Sequence, residues 1–259
     1  MEEQTGGLRV LVSFTLRVGD RTLEATVSLP QEPVRPLELL PVIFALADAY
    51  LSAVIVQVEE QGRRISCRAG CGACCSQLVP VSETEAWHLA QVVASLPPSR
   101  QAVVLRRFQR ALERLADAGL LERLRDTQAL RDLEARRRIG MEYFALGIAC
   151  PFLEEGNCSI YRDRPLRCRE YLVTSPAASC AEPRPETIEM VPLPAKPSEI
   201  LFCFGDGKGH QATHWLALPL ALEWAREHDP VSQPNVPAPE QFRNFLTQLA
   251  APPVAETLS

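Results

Sequence analysis

Ile65-Ser66-Cys67-Arg68-Ala69-Gly70-Cys71-Gly72-Ala73-Cys74-Cys75-Ser76 places four cysteines within nine positions, and the rest of the 259-residue chain is organised around it. In one straight helix Cys67, Cys71 and Cys74 would share a face. The first and last would then lie about 10 Å apart along the axis, at about 1.5 Å per residue. Zinc holds sulfur at about 2.3 Å, so two of its ligands cannot be more than about 4.6 Å apart. Thiols that share one ion therefore exclude a helix throughout. Gly70 and Gly72 are expected to let the backbone curl, since glycine reaches positive φ and can turn amide N–H groups towards sulfur. The adjacent Cys74 and Cys75 are expected to point in different directions. Either one of them is then unligated or the site holds more than one metal atom.

A second bank begins at Cys150-Pro151-Phe152-Leu153, runs from Gly156-Asn157-Cys158 to Cys168-Arg169, and ends at Cys180. Together the two banks hold eight of the nine cysteines. Their gaps are irregular and match no standard zinc finger. The run C-x3-C-x2-C-C, then C-P-F-L, then G-x-C-x-I-Y-x-x-R-P-x-x-C-R and a later lone cysteine, resembles the YkgJ family of cysteine-cluster proteins. The CxxCxxCC domain of that family is regarded as a zinc- or iron-chelating module. Val79-Pro80-Val81-Ser82, followed by Glu83 and Glu85, resembles the segment that follows the first bank in the family, and the likeness spans roughly Ser66 to Cys180.

Carried over residue by residue, the resemblance implies metal ligation by Cys67, Cys71, Cys74, Cys75, Cys150, Cys158, Cys168 and Cys180, while Cys203 has no counterpart. This chain departs from the pattern in the length of the charged segment between the banks. The resemblance implies a role in metal binding, storage or sensing. The same motif also resembles that of a bacterial flagellin lysine N-methylase, which implies the alternative of a metal-dependent modifying or redox enzyme. Thiolates suit zinc, iron and iron–sulfur clusters alike. A saturated thiolate site is structural, whereas catalysis needs an open coordination position.

Composition excludes little. A hydrophobic fraction of 46% and a charged fraction of 23% are those of an ordinary globular chain. A net charge of −5 gives no reason to expect a nucleic-acid partner. MEEQTGG lacks a basic region leading into an apolar one, so no secretory signal is expected. No apolar run approaches 20 residues without charge or proline, so no membrane span is expected. The expected location is the cytoplasm, where clustered thiols are more often ligands than disulfides.

The expected fold is α+β and mostly α-helical, with an N-terminal β-hairpin packed on helices and an irregular cysteine-rich metal-binding core. Residues 8–17 and 21–29 alternate apolar and polar residues around Val18-Gly19-Asp20, which predicts the hairpin. An apolar helix follows Pro36 and stops at Gly62, although its β-branched end AVIVQV also suits a strand. Residues 1–64 form this first unit. Residues 65–182 form the cysteine domain, with a helical insertion at 83–146, and 183–259 a proline-rich and helical extension.

Within the insertion, Ser82 with Glu85 is a capping-box signature starting a helix to about Leu96, and Pro97 and Pro98 end it. A second helix is expected from about Arg100 to Ala118, with Val103, Val104, Phe108, Ala111, Leu112 and Leu115 on its inner face. A third is expected from about Thr127 to Phe144. Residues 100–138 carry eleven arginines against six acids, 11 − 6 = +5. That excess suits an anionic protein partner or, more simply, solvated and ion-paired helix faces.

Towards the C-terminus, residues 181–197 are expected to be extended, Ser198 to Phe204 to begin a short helix, His214 to His228 to form a longer one, and Pro239 to Leu249 the last. Gly205-Asp206-Gly207-Lys208-Gly209 lacks a phosphate-loop frame and is expected to be a turn. His88, His210, His214 and His228 show no ligand spacing. Trp87, Trp215 and Trp224 are expected in the core, and Cys203, between two phenylalanines, as a small apolar residue. Arg162, Arg164, Arg167 and Arg169 either lower the charge of the thiolate centre or pair with Asp163, Glu170 or Glu182.

Overall fold

The structure, a computed structural model, describes residues 8–126, 130, 132–182, 184, 186–204 and 215–250. Strands β1 (Arg9–Val18) and β2 (Arg21–Pro30) form the expected hairpin, in register from Arg9↔Pro30 to Val18↔Arg21. Gly19, at φ +59°, makes its tight turn, and the Gln57 side-chain amide holds that turn by donating to the Val18 carbonyl at 2.9 Å. A two-stranded ribbon is marginal alone in water. Here Leu16, Val18 and Leu29 are buried against helix α1 (Pro36–Glu60), which follows the two-residue strand β3 (Pro33–Val34).

Helix α1 starts with Pro36 in its first turn and runs unbroken through AVIVQV, so the β-branched end is helical. Tertiary burial of Leu51, Val54 and Val58 along the same face outweighs the local strand preference. By length and composition α1 could cross a membrane. In this fold it is the central helix of a core that also takes in Phe242 and Phe245.

Strand β4 (Pro80–Ser82) leads into α2 (Glu83–Ser95), and the capping box is present: the Glu85 amide donates to Ser82 Oγ at 3.1 Å and the Ser82 amide to Glu85 Oε2 at 2.9 Å. Helix α3 (Pro98–Asp117) begins at Pro98 itself, where a missing N–H costs nothing. Val104, Phe108, Ala111 and Leu115 face inward as expected, while Val103 and Leu112 are half-buried. The expected third helix is shorter at its start. A five-residue helix α4 (Leu121–Arg125) precedes α5 (Leu133–Ala145), which Asp132 caps through the Ala135 amide; residues 127–129 and 131 lie outside the described residues.

The second bank follows, with strands β5 (Leu153–Glu154) and β6 (Asn157–Cys158) and helix α6 (Leu166–Glu170). Then come α7 (Pro197–Phe202), β7 (Trp215–Ala217), α8 (Ala221–Glu227), β8 (Val236–Pro237) and α9 (Ala238–Ala250). The expectation of one long helix from His214 to His228 is corrected. Trp215, Leu216 and Ala217 pair antiparallel with Ser82, Val81 and Pro80, and only α8 is α-helical. Backbone pairing with a segment more than 130 positions away takes those amides first. Among the described residues the strands form four two-stranded antiparallel sheets.

Two apolar clusters result. One is built from β1, β2, α1, α6, α7 and α9, the other from α2 to α5, β7 and α8. The cysteine banks lie between them: Cys67 packs on the first, Cys150 and Cys158 on the second. Trp87 and Trp215 are core residues, and Trp224 is half-buried between Trp87 and the stacked ring of His228. Gly205 to Gly209, His210 and His214 lie outside the described residues.

Candidate metal centre

The first bank is a series of tight turns. The Cys71 amide donates to the Arg68 carbonyl, that of Cys75 to Gly72 and that of Gln77 to Cys74, each at 3.0 Å. The continuous helix excluded by ligand geometry is indeed absent from residues 67–77. Gly70 has φ +88°, the left-handed region expected of it, and a Cβ there would sit 2.8 Å from Asn157 Oδ1. Gly72 is needed for a different reason. Its Cβ would lie 2.5 Å from both the Gly156 carbonyl oxygen and Leu153 Cδ1, so only glycine lets the two banks approach this closely. Gly72→Ala is expected to cost about 1–3 kcal/mol, because the atom in the way is backbone. Chemical denaturation would measure it, and an unchanged midpoint would mean that the banks are not in contact here.

The banks are joined by direct hydrogen bonds. The Cys150 amide donates to the Cys75 carbonyl at 2.6 Å, the Ser66 amide to Val173 at 2.9 Å, and the Cys67 thiol to the Tyr171 carbonyl at 3.4 Å. Gln77 donates its side-chain amide to Tyr171 Oη at 3.1 Å and to the Cys180 carbonyl at 3.4 Å. Cys158 sits opposite Leu153 in the β5–β6 hairpin, whose turn places Glu155 and Gly156 at positive φ. Cys168 lies in α6. Cys180 is 3% exposed in the short 3-10 turn Ala177–Ala181.

None of the nine cysteines is in a disulfide. Burial is the main force that pushes up the thiols of Cys67, Cys150, Cys158, Cys168 and Cys180, Cys150 to about 12 and Cys180 to about 11. The charges of neighbouring thiolates add to it. Cys150, Cys74 and Cys158 raise Cys168, while Cys74, Cys67 and Cys71 raise Cys180. Cys74 is raised chiefly by its hydrogen bond with the Cys75 thiol. The two adjacent thiols, expected to point in different directions, are thus within reach of one another.

Reduced thiols form a donor set suited to zinc or iron. Among the described residues no three Cys, His, Asp or Glu side chains stand closed around one point.

The four arginines divide their roles. Arg164, stacked 3.7 Å over the Tyr161 ring, is the cation that favours the thiolates of Cys67, Cys74 and Cys158. Arg169 is 4% exposed; it donates to Asp48 Oδ2 at 2.7 Å and to the Arg164 carbonyl at 2.9 Å, and covers the Phe44 ring at 4.3 Å. Arg167 pairs with Glu170 and Glu199, and the Arg162 carbonyl accepts from Arg169. Asp163 meets His88 instead, at 3.2 Å. Cys203 caps the C-terminal end of α7 and is half-buried.

Sequence patterns did not mark two supporting residues. Tyr171 and Gln77 carry no motif, and their only signal is proximity to cysteines. Glu85 was legible as a helix cap, yet it also accepts from the Leu166 amide at 2.7 Å, at the start of the helix that carries Cys168.

The chain is mostly helical, and its two cysteine banks meet between two apolar clusters. Its residues 66–189 match the family model CxxCxxCC, described as "Putative zinc- or iron-chelating domain". No curated protein and no solved structure matches the chain.

Proposed function

We propose that this is a metal-binding cysteine-cluster protein of the YkgJ type, working in a reducing, cytoplasmic compartment. Cys67, Cys71, Cys74, Cys75, Cys150, Cys158, Cys168 and Cys180 hold zinc or iron and staple the two banks. The observation that carries this reading is the 2.6 Å hydrogen bond from the Cys150 amide to the Cys75 carbonyl, which ties together two cysteine banks that are 75 positions apart.

The role we read is binding, storage or sensing, with a metal-dependent modifying or redox enzyme, such as one resembling a protein lysine N-methylase, as the alternative.

Metal analysis and an ultraviolet–visible spectrum of protein purified without oxygen test the reading. Stoichiometric zinc in a colourless sample, or iron in a brown one absorbing broadly in the visible, is the expected result. Only trace metal in a folded, fully reduced sample would refute it.

A further inference from the structure

A groove with no cysteine among its described lining residues runs between α2, α8 and the short 3-10 turn Pro230–Ser232. It consists of two adjoining cavities, of about 150 and 270 Å³, that share Glu83 and Trp224. Trp87 and Trp224 form an aromatic wall, with ring centres 4.9 Å apart and planes tilted by 56°, and the His228 ring stacks on Trp224 at 4.3 Å. Hydrogen bonds hold this wall in place. Trp87 Nε1 donates to the His228 carbonyl at 2.7 Å. Asp229 fixes the following turn by accepting from the Val231 amide at 2.8 Å and, through its carbonyl, from the Ser232 amide at 3.0 Å. Gln233, next along the chain, also lines the groove, and its Oε1 is buried without a hydrogen-bond partner. An acceptor buried without a donor is costly, and an N–H entering the groove would satisfy it.

We propose that this groove binds the arginine side chain of a peptide or protein partner, as a site separate from the metal centre. Among the described residues three carboxylates, Glu83, Glu223 and Glu227, line the two cavities against one guanidinium, that of Arg125, which pairs with Glu223 at 2.5 Å. The charge therefore favours a cation, and the orphaned Gln233 oxygen calls for one that donates N–H. Guanidinium is planar, weakly hydrated, carries five donors in a fork and stacks on aromatic rings, whereas an ammonium is a strongly hydrated point charge. A wall of indole rings with separate amide and carboxylate acceptors suits the fork. Free arginine would add its own carboxylate to those of the groove, and like charges brought together weaken binding. An arginine within a chain brings none. The rim residues Glu227, His228, Ser232 and Pro234 are exposed, so the side chain enters from solvent.

The test uses the full chain and follows tryptophan fluorescence during titration with blocked tripeptides that hold one residue between two glycines. The arginine peptide should bind saturably. The citrulline peptide keeps the shape without the charge and should bind at least about tenfold more weakly, since charge-assisted hydrogen bonds are the stronger ones. The lysine peptide and free arginine should also fall behind the arginine peptide. Gln233→Leu removes the buried acceptor, so it should not lower thermal stability yet should weaken the arginine peptide by about tenfold. Glu83→Gln should weaken it similarly. If either variant does not fold by circular dichroism, the ligands compared on the unsubstituted chain decide. No saturable binding, equal binding of the arginine and citrulline peptides, or equal or tighter binding of the lysine peptide or free arginine would overturn the proposal. So would a glutamate peptide that binds more tightly, or folded variants that bind as the unsubstituted chain does. Metal content is measured separately and is untouched by any of these results.

Discussion

Cys168→Ser is expected to lower the melting temperature of the chain by about 10–20 °C, and a strong chelator should do the same to the unsubstituted protein. Binding of structural zinc is folding free energy, on the order of 10 kcal/mol or more in small zinc domains. Loss of about 5 kcal/mol of it from a chain of this size corresponds to that shift. The effect should be large at Cys168 because α6 contributes Leu166 to the first apolar cluster and donates its first amide to Glu85 on α2, whose Ala86 and Leu89 belong to the second. Releasing this helix loosens both. Cys203→Ser is the control. Half-buried at the end of α7, it should change stability by no more than about 1 kcal/mol. Equal shifts for the two variants would mean that the eight thiols do not hold the fold together.

Glu85→Ala is expected to destabilise the chain by about 3–5 kcal/mol. The carboxylate is 1% exposed and accepts from the Ser82 amide, the Ser82 hydroxyl and the Leu166 amide. Burial raises its pKa while these three donors and Arg169 oppose the rise. Truncation leaves the donors without an acceptor, at about 1–3 kcal/mol for each one that water cannot reach. Ser82→Ala removes only the cap hydroxyl and should cost about 1 kcal/mol. Urea denaturation distinguishes the two, and a Glu85→Ala loss no greater than that of Ser82→Ala would show that the bond to Leu166 contributes nothing.

Much of this architecture was legible because it is local. The alternation on either side of Gly19 specifies a hairpin, Ser82 and Glu85 three positions apart specify a helix start, and the spacing in residues 67–75 rules out a helix for thiols that share one ion. Each of these depends on atoms within a few positions of one another. The charge excess of residues 100–138 is met in part by the ion pairing expected of those helix faces, though with acids that lie elsewhere in the chain. Arg100 and Arg107 pair with Glu154, Arg123 with Glu142 and Arg125 with Glu223, all acids outside that window. A local count of charge cannot register partners that the fold brings from elsewhere.

The amino-acid sequence alone determined the donor chemistry: eight thiols in two banks, glycines where the first bank must turn, and elements with enough apolar surface to bury. Only the tertiary structure decided that Trp215 to Ala217 join a sheet with residues 80–82 and that Arg169 turns to Asp48. It also decided that Cys74 and Cys75 stand where the two banks meet. The physical reason is range. Turns, caps and periodicity are set by neighbours along the chain, whereas thiol encounters and long-range strand pairing depend on how two separate apolar clusters pack.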